Sequence, residues 1–461
     1  MKIYNKYILC CIGSLSFIMS SFANVTIPSF FSDNMVLQQQ DNVKIWGWSN
    51  PHEPITITTS WSNDTITTKG TNYAKWEAVL KTPKAGGPYT ITIKGYNEIK
   101  LNNVLIGEVW VCSGQSNMEW TASAGIDDAE TAISAANFPN IRLFTVSKHS
   151  SETPQDNLDG QWQMCSPETM QYFSAVAYFF GKKLHQELDV PIGLINSSWG
   201  GSYAETWMPE SVFKTNDELK KASEKINPVE WAPYEPGRIY NAMIHPLTKL
   251  NVSGVIWYQG ENNTANSKFY HLIFSELIKS WRQAFNKEIP FYFAQIAPYS
   301  YHESSGVEVR DAQRRTLELL KTAMVVTSDI GDLKDIHPRN KKDVGLRFAQ
   351  LALKKHYLTI DAVVESPLYA SAEVKNNKLL VTFHHADGLY VTSKTSQFEI
   401  AGADEVFHSA KFKIKGNQIE VFSKQVKEPM YVRYAWGNTI EANIFNKVGL
   451  PMSSFTTQLI K

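Results

Sequence analysis

The sequence predicts an α/β fold in which helices wrap a parallel sheet and two β-rich regions flank it. Residues 106–358 alternate between short apolar runs, typical of buried strands, and longer runs with apolar residues at three-four spacing, typical of helices. Residues 24–105 and 359–461 consist instead of strand-like runs. We therefore expect a central α/β domain between two β regions.

Ahead of these regions, residues 1–23 predict an export signal. A positively charged start precedes a short apolar stretch at residues 8–19, and Ser21-Phe22-Ala23 provides small residues at a cleavage site. The stretch is too short for a comfortable membrane span, and no later segment is suited to one. We expect a mature chain that begins near Asn24 and is periplasmic or secreted, with a retained anchor as the alternative.

The N-terminal region, residues 24–105, predicts a β-sandwich because its short strands recur at regular spacing. The runs that alternate at period two are "NVKIWGWS", "PITITTSW", "WEAVLKT" and "PYTITIKG". Runs such as "NKLLVTFHHA" and "QIEVFS" predict a second β unit over residues 359–461.

The central region, residues 106–358, predicts six strands that alternate with helices. The strand runs are "LIGEVWVC", "NIRLFTV", "VPIGLINSS", "VSGVIWYQG", "PFYFAQIA" and "AMVVTSDIG". The helical runs are "SAVAYFFGKKLHQEL", "FYHLIFSELIKSWRQAF", "DAQRRTLELLKT" and "DVGLRFAQLALKKHY". In a parallel sheet of this kind, functional sites lie at the carboxyl ends of the strands.

Composition excludes several classes of function. Lys+Arg and Asp+Glu both number 45, and no basic block occurs, so neither nucleic acid nor an anionic membrane is expected as the main partner. The 11 histidines show no metal-ligand spacing, and the two cysteines outside the signal, Cys112 and Cys165, are too few for a zinc cage. We therefore predict no metal. The sequence leaves open whether the two cysteines form a disulfide or remain buried thiols.

The sequence "CSGQSNMEW" at residues 112–120 places Ser116 just after the first predicted strand of the central region. Gly114 permits an unusual backbone conformation there. A helix is expected to follow, which would bring backbone N–H groups near the Ser116 hydroxyl, as a serine nucleophile requires. Serine also suits a helix N-cap, and this segment alone leaves both roles open.

A candidate base for the serine lies in "GDLKDIHPRN", which follows the last predicted strand. Pro338 favours an extended path for the residues before it, and side chains two apart in an extended segment point the same way. We therefore expect Asp335 to hold one ring nitrogen of His337 while the other meets Ser116. An isolated Asp-x-His is more often a solvated loop, but both segments end strands at the same sheet edge.

Two further segments end strands at this edge. "INSSWGGSYAETW" carries Gly200-Gly201, whose backbone N–H groups can approach a substrate oxygen. "WYQGENN" carries side-chain amides suited to stabilising an oxyanion. The alternatives are a tight turn for the glycines and a helix-capping loop, or a glycosylation acceptor, for the asparagines.

These segments together resemble the SGNH hydrolase superfamily and, within it, the sialate O-acetylesterase-like carbohydrate esterases. The resemblance is carried by "GQSNM" at 114–118, "SSWGGSYAETW" at 197–207, "WYQGENN" at 257–263 and "DIHP" at 335–338. It extends to "YNAMIHPL" at 240–247 and "NKVGLPMSSF" at 446–455, and so spans nearly the whole mature chain. It implies a three-layer α/β/α catalytic domain and a serine esterase that removes acetyl groups from sugars without a metal or other cofactor.

The resemblance also implies roles for individual residues. Ser116 would be the nucleophile and His337 the general base. Gly201 and a side-chain amide would join the Ser116 N–H as the oxyanion hole. The subfamily pattern selects Asn263 for the amide, with Gln259 as an alternative.

Two departures from the superfamily pattern leave alternatives. The superfamily often has its aspartate three residues before the histidine, where this chain has Lys334. Asp335 is then the expected carboxylate, with Asp332 or a Ser–His dyad as alternatives. The superfamily's third block often reads G-x-N-D, which would select Asn262 for the oxyanion hole.

The expected substrates are O-acetylated sialic acids, with acetylxylan or other neutral plant sugars as the second choice. A sialic acid carries a carboxylate, which favours an arginine partner. Arg310 and Gln313 lie at the start of a predicted helix after the fifth strand, and we expect both to face the cleft; a solvated helix start is the alternative. A carbohydrate-binding protein without activity is the alternative from another class.

Overall fold

The computed structural model of the chain describes residues 24–458, so the predicted export signal lies outside the described residues. The strands, in chain order, are β1 (Val36–Gln38), β2 (Asn42–Trp48), β3 (Pro54–Thr59), β4 (Thr65–Lys69), β5 (Lys75–Lys81), β6 (Gly86–Lys94), β7 (Glu98–Gly114), β8 (Phe138–Thr145), β9 (Trp162–Cys165), β10 (Ile192–Ser198), β11 (Gly254–Tyr258), β12 (Phe291–Ala294), β13 (Thr322–Val325), β14 (Leu368–Lys375), β15 (Lys378–His384), β16 (Tyr390–Val391), β17 (Phe398–Ala401), β18 (His408–Ser409), β19 (Lys411–Lys415), β20 (Gln418–Phe422), β21 (Tyr431–Tyr434), β22 (Ile444–Phe445) and β23 (Phe455–Thr456).

The helices lie mainly between the strands of the central region. They are α1 (Ser116–Glu119), α2 (Ala129–Ser134), α3 (Pro167–Met170), α4 (Ala175–Leu188), α5 (Glu210–Thr215), α6 (Asp217–Ser223), α7 (Tyr270–Phe285), α8 (Ser305–Arg315) and α9 (Lys341–Lys355). Short 3₁₀ or π segments cover Ala204–Trp207, Tyr240–Ile244, His245–Leu247, Asn262–Phe269 and Thr316–Glu318.

The central sheet contains six parallel strands in the order β13-β12-β11-β7-β10-β8, with β9 antiparallel at the edge beside β8. Each of the six strand runs expected from the sequence contributes one of the parallel strands. The prediction of an α/β fold with a parallel sheet wrapped by helices is therefore confirmed. The sequence did not indicate β9, whose exposed middle residues leave little apolar pattern.

Strand β7 shows how the sheet fills its two faces. Val109 and Val111 point into one core, which α7 and α8 cover, whereas Trp110 and Cys112 point into a second core, which α4 and α9 cover. Successive side chains of a strand face opposite sides, so an uninterrupted apolar run requires helices on both faces. Complete burial of a valine side chain such as that of Val109 stabilises the fold by roughly 1.5–3 kcal/mol relative to leaving it exposed.

The same strand joins the N-terminal β region to the central sheet. Its first part pairs antiparallel with β6, over Glu98 to Ile106, and its second part pairs in parallel with β10 and β11. The boundary expected between residues 105 and 106 therefore lies inside a continuous strand. One hydrophobic core extends across it, since Trp46 of β2 and Trp257 of β11 belong to the same buried cluster.

The C-terminal β region has a core of its own. Its two four-stranded sheets have the orders β14-β15-β20-β19 and β18-β17-β21-β23. Val381, Ile400, Val432 and Phe455 are buried in a cluster separate from the two cores of the central sheet. Helix α8 contacts β23, so this region packs against the central region through that helix.

The structure decides the state of the cysteines that the sequence left open. Cys112 and Cys165 are both buried and free, and their burial raises the pKa of each thiol. Between residues 24 and 458, no helix combines the length and apolar character needed to cross a bilayer. Over the same residues, no cluster of three or more His, Cys, Asp or Glu side chains is arranged to hold a metal ion.

Gly114 ends β7 in a conformation that a residue with a side chain would resist. Its φ is +139°, and a β-carbon placed on it would lie 2.2 Å from the carbonyl oxygen of Tyr258 in β11. The next residue, Gln115, donates its N–H to that same oxygen at 3.0 Å. The close contact between the two strand ends thus depends on glycine, and helix α1 begins directly after it at Ser116.

Replacing Gly114 by Ala should lower the thermal unfolding midpoint clearly, because strain and a backbone clash together cost about 2 kcal/mol or more. Gly125→Ala is the matched control: Gly125 also has a positive φ, of +103°, but a β-carbon there would meet nothing within 4 Å. Equal shifts of the midpoint for the two variants, measured by circular dichroism, would show that the contact with Tyr258 is unimportant.

Candidate active site

Three of the segments predicted to form the site follow the carboxyl ends of β7, β10 and β11. Ser116 begins α1 two residues after β7 ends, and the backbone of Gln115 before it is extended. Ser198 and Tyr258, the last residues of β10 and β11, both lie in register with Gly114, so the loops that follow leave the sheet at the same level. Such an edge is where parallel sheets place their sites.

Ser116 and His337 meet at this edge. The Oγ atom of Ser116 lies 2.9 Å from Nε2 of His337, which is hydrogen-bond distance. Oδ1 of Asp335 lies 3.6 Å from Nδ1 of His337 and also accepts the backbone N–H of His337 at 2.8 Å. The structure therefore brings together the three residues expected to form the triad, with the Asp335–His337 side-chain contact looser than a hydrogen bond.

Asp332, the alternative carboxylate, has a different task. Its Oδ1 accepts the backbone N–H of Lys334 at 2.8 Å and that of Asp335 at 3.3 Å. These contacts fix the turn that leads into the histidine segment, as aspartate often does in loops. Of the two carboxylates, Asp335 is the one in contact with the imidazole.

The imidazole of His337 is held against Trp120. The two rings stack with centroids 4.4 Å apart and an interplanar angle of 18°. Partial burial lowers the pKa of His337, the positive charge of Lys341 lowers it further, and the carboxylate of Asp335 opposes both. A neutral imidazole is thus favoured, and only this form can accept a proton from the serine hydroxyl.

A buried polar network lies behind the serine. The ammonium group of Lys341, a residue only 1% exposed, donates to Oδ1 of Asn117 at 2.5 Å. Nδ2 of Asn117 in turn donates to Oε1 of Glu261 at 2.5 Å and to the backbone oxygen of Ile336 at 3.0 Å. The network therefore ties the serine helix to the β11 loop, the histidine segment and the start of α9.

Burial weakens the charges at both ends of this network. It raises the pKa of Glu261, and it lowers the pKa of Lys341 to about 7. Sequence patterns did not point to Lys341 as a site residue. A signal was present, because Lys341 is the first residue of a helix, where the macrodipole disfavours a cation.

Gly200 and Gly201 pass directly beside the serine. A β-carbon on Gly200 would lie 3.3 Å from Cβ of Ser116, and its N–H donates to Oε2 of Glu119 at 2.7 Å. Gly201 has a left-handed φ of +70°, which glycine adopts without strain. The N–H of Gly200 is thus committed to a side chain of α1, whereas Gly201 turns the chain next to Ser116.

Two amides predicted to line the oxyanion hole lie elsewhere. Asn263 donates its amide hydrogens to Glu205 at 2.8 Å and Asn266 at 3.0 Å. Gln259 donates to Asn263 at 2.6 Å and to the backbone oxygen of Ser202 at 3.2 Å. Both side chains are fully buried, and these contacts engage the amide hydrogens that the predicted oxyanion role would need. They tie the loops after β10 and β11 together.

Asn262, the alternative drawn from the superfamily pattern, lies between these buried amides and solvent. It is partly exposed, and its Nδ2 donates to the backbone oxygen of Gly201 at 2.7 Å. A side-chain amide has two hydrogens, so one remains beside the glycine turn.

Arg310 and Gln313, which were expected to face the cleft, are instead buried. Arg310 is 2% exposed and donates to the backbone oxygens of Gly437 and Asn438 in the C-terminal region. Gln313 donates to the backbone oxygens of Gln259 at 3.0 Å and Ala294 at 3.1 Å. Both side chains lie on the face of α8 that packs into the protein, and desolvation lowers the pKa of Arg310 to about 10.

Similarity to known proteins identifies the family of the chain. A family model described as carbohydrate esterase, sialic acid-specific acetylesterase, matches residues 106–354. The chain belongs to this family. The esterase is 30% identical to a sialate O-acetylesterase of Mus musculus over 439 residues, with 81% of each chain covered. It is 31% identical to a sialate O-acetylesterase of Homo sapiens over 414 residues, which cover 81% of this chain and 79% of the human one.

A solved structure agrees with the fold of the esterase. The crystal structure of a carbohydrate acetylesterase from Xanthomonas citri is 35% identical in sequence, with a TM-score of 0.86, over 95% of this chain and 100% of the other. The resemblance noted in the sequence is thus confirmed, and so is the predicted activity, hydrolysis of carboxylic esters of carbohydrates.

Replacing Arg310 by Ala should destabilise the esterase by about 2–4 kcal/mol, because it leaves two partly buried carbonyl groups without their donor and removes buried side-chain volume. The ratio of kcat/KM for an acetylated sialic acid to that for an acetylated xylose should stay unchanged. Urea unfolding and initial rates measure the two effects. Lys413→Ala, on an exposed position of β19, is the control with little expected effect. A selective loss on the acidic sugar with unchanged stability would restore Arg310 as a substrate residue.

Proposed function

We propose that the esterase removes O-acetyl groups from sialic acids through an acetyl-enzyme intermediate on Ser116. The observation that carries this proposal is the 2.9 Å contact between the Ser116 hydroxyl and Nε2 of His337 at the carboxyl edge of the sheet. The substrate class is supported by the family description and by the named activity of the curated relatives. A binding protein without activity would have no need of a serine paired with a neutral imidazole.

In the first step, Oγ of Ser116 attacks the acetyl carbonyl while Nε2 of His337 accepts the hydroxyl proton. Collapse of the tetrahedral intermediate releases the sugar hydroxyl, which takes that proton from His337. In the second step, His337 accepts a proton from water, the water attacks the acetyl-enzyme, and acetate leaves as Ser116 regains its proton. Asp335 orients the imidazole and stabilises its transient positive charge.

The oxyanion of each tetrahedral intermediate needs donors on the other side of the carbonyl. We assign this role to the backbone N–H groups of Ser116 and Gly201 and to the side-chain amide of Asn262. Ser116 is the first residue of α1, so its N–H has no partner within the helix. The positive φ of Gly201 and the contact of Asn262 with its carbonyl support a common site. One such donor contributes about 10²–10³ in kcat.

The place of action follows from the N-terminal sequence. The positive start, short apolar stretch and small residues of positions 1–23 support export of the esterase. We propose a secreted or periplasmic mature enzyme that meets acetylated sialic acids outside the cytoplasm.

Replacing Ser116 by Ala should reduce acetate release from an O-acetylated sialic acid by more than about 10³-fold, because no nucleophile remains. The panel should include acetylated xylan and a simple ester, and the thermal midpoint should not change. Ser134→Ala, at the exposed end of α2, is the matched control. Full activity of Ser116→Ala would exclude the proposed nucleophile, and a preference for acetylated xylan would exclude the proposed substrate class.

The pH dependence of kcat/KM should show an acid limb with a midpoint below about 6.5, the ordinary pKa of histidine, because the surroundings of His337 lower its pKa. Replacing Lys341 by Met removes a positive charge, so the pKa of His337 should rise and the limb should move to higher pH. Lys342→Met, its exposed neighbour, should leave the limb in place. A limb that moves to lower pH in Lys341→Met would contradict this electrostatic account.

A further inference from the structure

An exposed tryptophan, Trp231, lies beside the glycine turn that contacts Ser116. Trp231 is 64% exposed, in the segment of residues 224–238 that follows α6. Its backbone is fixed, because its carbonyl oxygen accepts the indole N–H of Trp199 at 2.7 Å and a bridge pairs Val229 with Ala232 around it. An indole this exposed contributes little to the core, so its position calls for another explanation.

The two glycines beside the serine define where the indole lies. A β-carbon on Gly200 would be 3.3 Å from Cβ of Ser116, and a β-carbon on Gly201 would be 1.9 Å from Nε1 of Trp231. The serine and the indole therefore contact consecutive residues of one turn. Any side chain at residue 201 would displace the indole, so Gly201 both turns the chain and makes room for Trp231.

The surroundings of this turn suit a polar ligand with an apolar face. Trp199 precedes the glycines and is half-buried, and the ammonium group of Lys148 lies 5.9 Å from its ring centroid. The same ammonium pairs with Oε1 of Glu119 at 2.5 Å, and the other oxygen of Glu119 holds the N–H of Gly200. One side of the serine is thus lined by two indoles and an ion pair, in the mixture of aromatic and polar groups that is typical of small-molecule sites.

We propose that Trp231 determines specificity by stacking its exposed indole on the pyranose ring whose acetyl ester is attacked at Ser116. The inference rests on the proposed function, because it takes Ser116 as the reacting centre. A pyranose ring presents a face of C–H groups between its hydroxyls, and a flat indole matches that face. A tryptophan with a fixed backbone loses little conformational freedom on binding, so it is an efficient anchor.

The test compares sugar esters with an ester that has no ring. Trp231→Ala, Trp231→Phe and the wild type are assayed on an O-acetylated sialic acid and on ethyl acetate. Trp231→Ala should lower kcat/KM on the sugar about tenfold or more, mainly through KM, and should change kcat/KM on ethyl acetate less than about twofold. Trp231→Phe should recover part of the loss, since a smaller flat ring remains.

A control variant separates an effect at Trp231 from the general effect of losing an exposed aromatic side chain. Tyr73→Ala removes another exposed aromatic side chain, 88% exposed, from the turn between β4 and β5, and should leave the activity on both substrates unchanged. Equal losses of Trp231→Ala on the sugar and on ethyl acetate would overturn the inference, because the indole would then support the catalytic turn instead. Unchanged activity on both substrates would overturn it too.

The activities of Ser116→Ala and Trp231→Ala distinguish a wrong stacking role from a wrong nucleophile. If Ser116→Ala is inactive while Trp231→Ala behaves as the wild type, the nucleophile stands and only the stacking role falls. If Ser116→Ala retains full activity, the reacting centre lies elsewhere and both proposals fall.

Discussion

The contact between the end of β7 and the end of β11 is the constraint on which the site depends. Gly114 comes so close to the carbonyl of Tyr258 that a β-carbon would not fit, and the chain leaves this contact directly into α1. The position of the serine hydroxyl is therefore set by the backbone of two neighbouring strands rather than by a flexible loop. A serine fixed in this way can keep a short contact with His337, which lies 221 residues later in the chain.

The second element of the site is a set of polar groups removed from water. Lys341, Asn117 and Glu261 form a chain with an amide between the ammonium and the carboxyl group, and its bonds reach three separate loops. Burying such groups is unfavourable unless they bond to one another, so the network holds only one arrangement of those loops. The imidazole of His337 gains a defined plane from Trp120 and a lowered pKa from the same surroundings.

Sequence patterns predicted the sheet and the contact between Ser116 and His337, but not the orientation of the other side chains predicted at the site. Apolar runs identify buried parallel strands, and the ends of those strands place Ser116 and His337 at one edge of the sheet, whereas their roles were drawn from the family resemblance as well. Asn263 follows a strand as expected, yet the 3₁₀ turn there directs its amide into the core. Arg310 was expected to face the cleft, but its face of α8 is covered by residues 437–438. These residues lie more than 120 positions away in the chain, so no local pattern reveals the contact.

The dual membership of β7 has a consequence for how the chain folds. Its first part pairs with β6, a strand that immediately precedes it, whereas β10 and β11, its parallel partners in the central sheet, begin at Ile192 and Gly254. Pairings between near neighbours close small loops, and parallel pairings must wait for a long crossover. The antiparallel pair is therefore expected to form early, and it presents the middle strand of the central sheet, on which β10 and β11 later pair from either side.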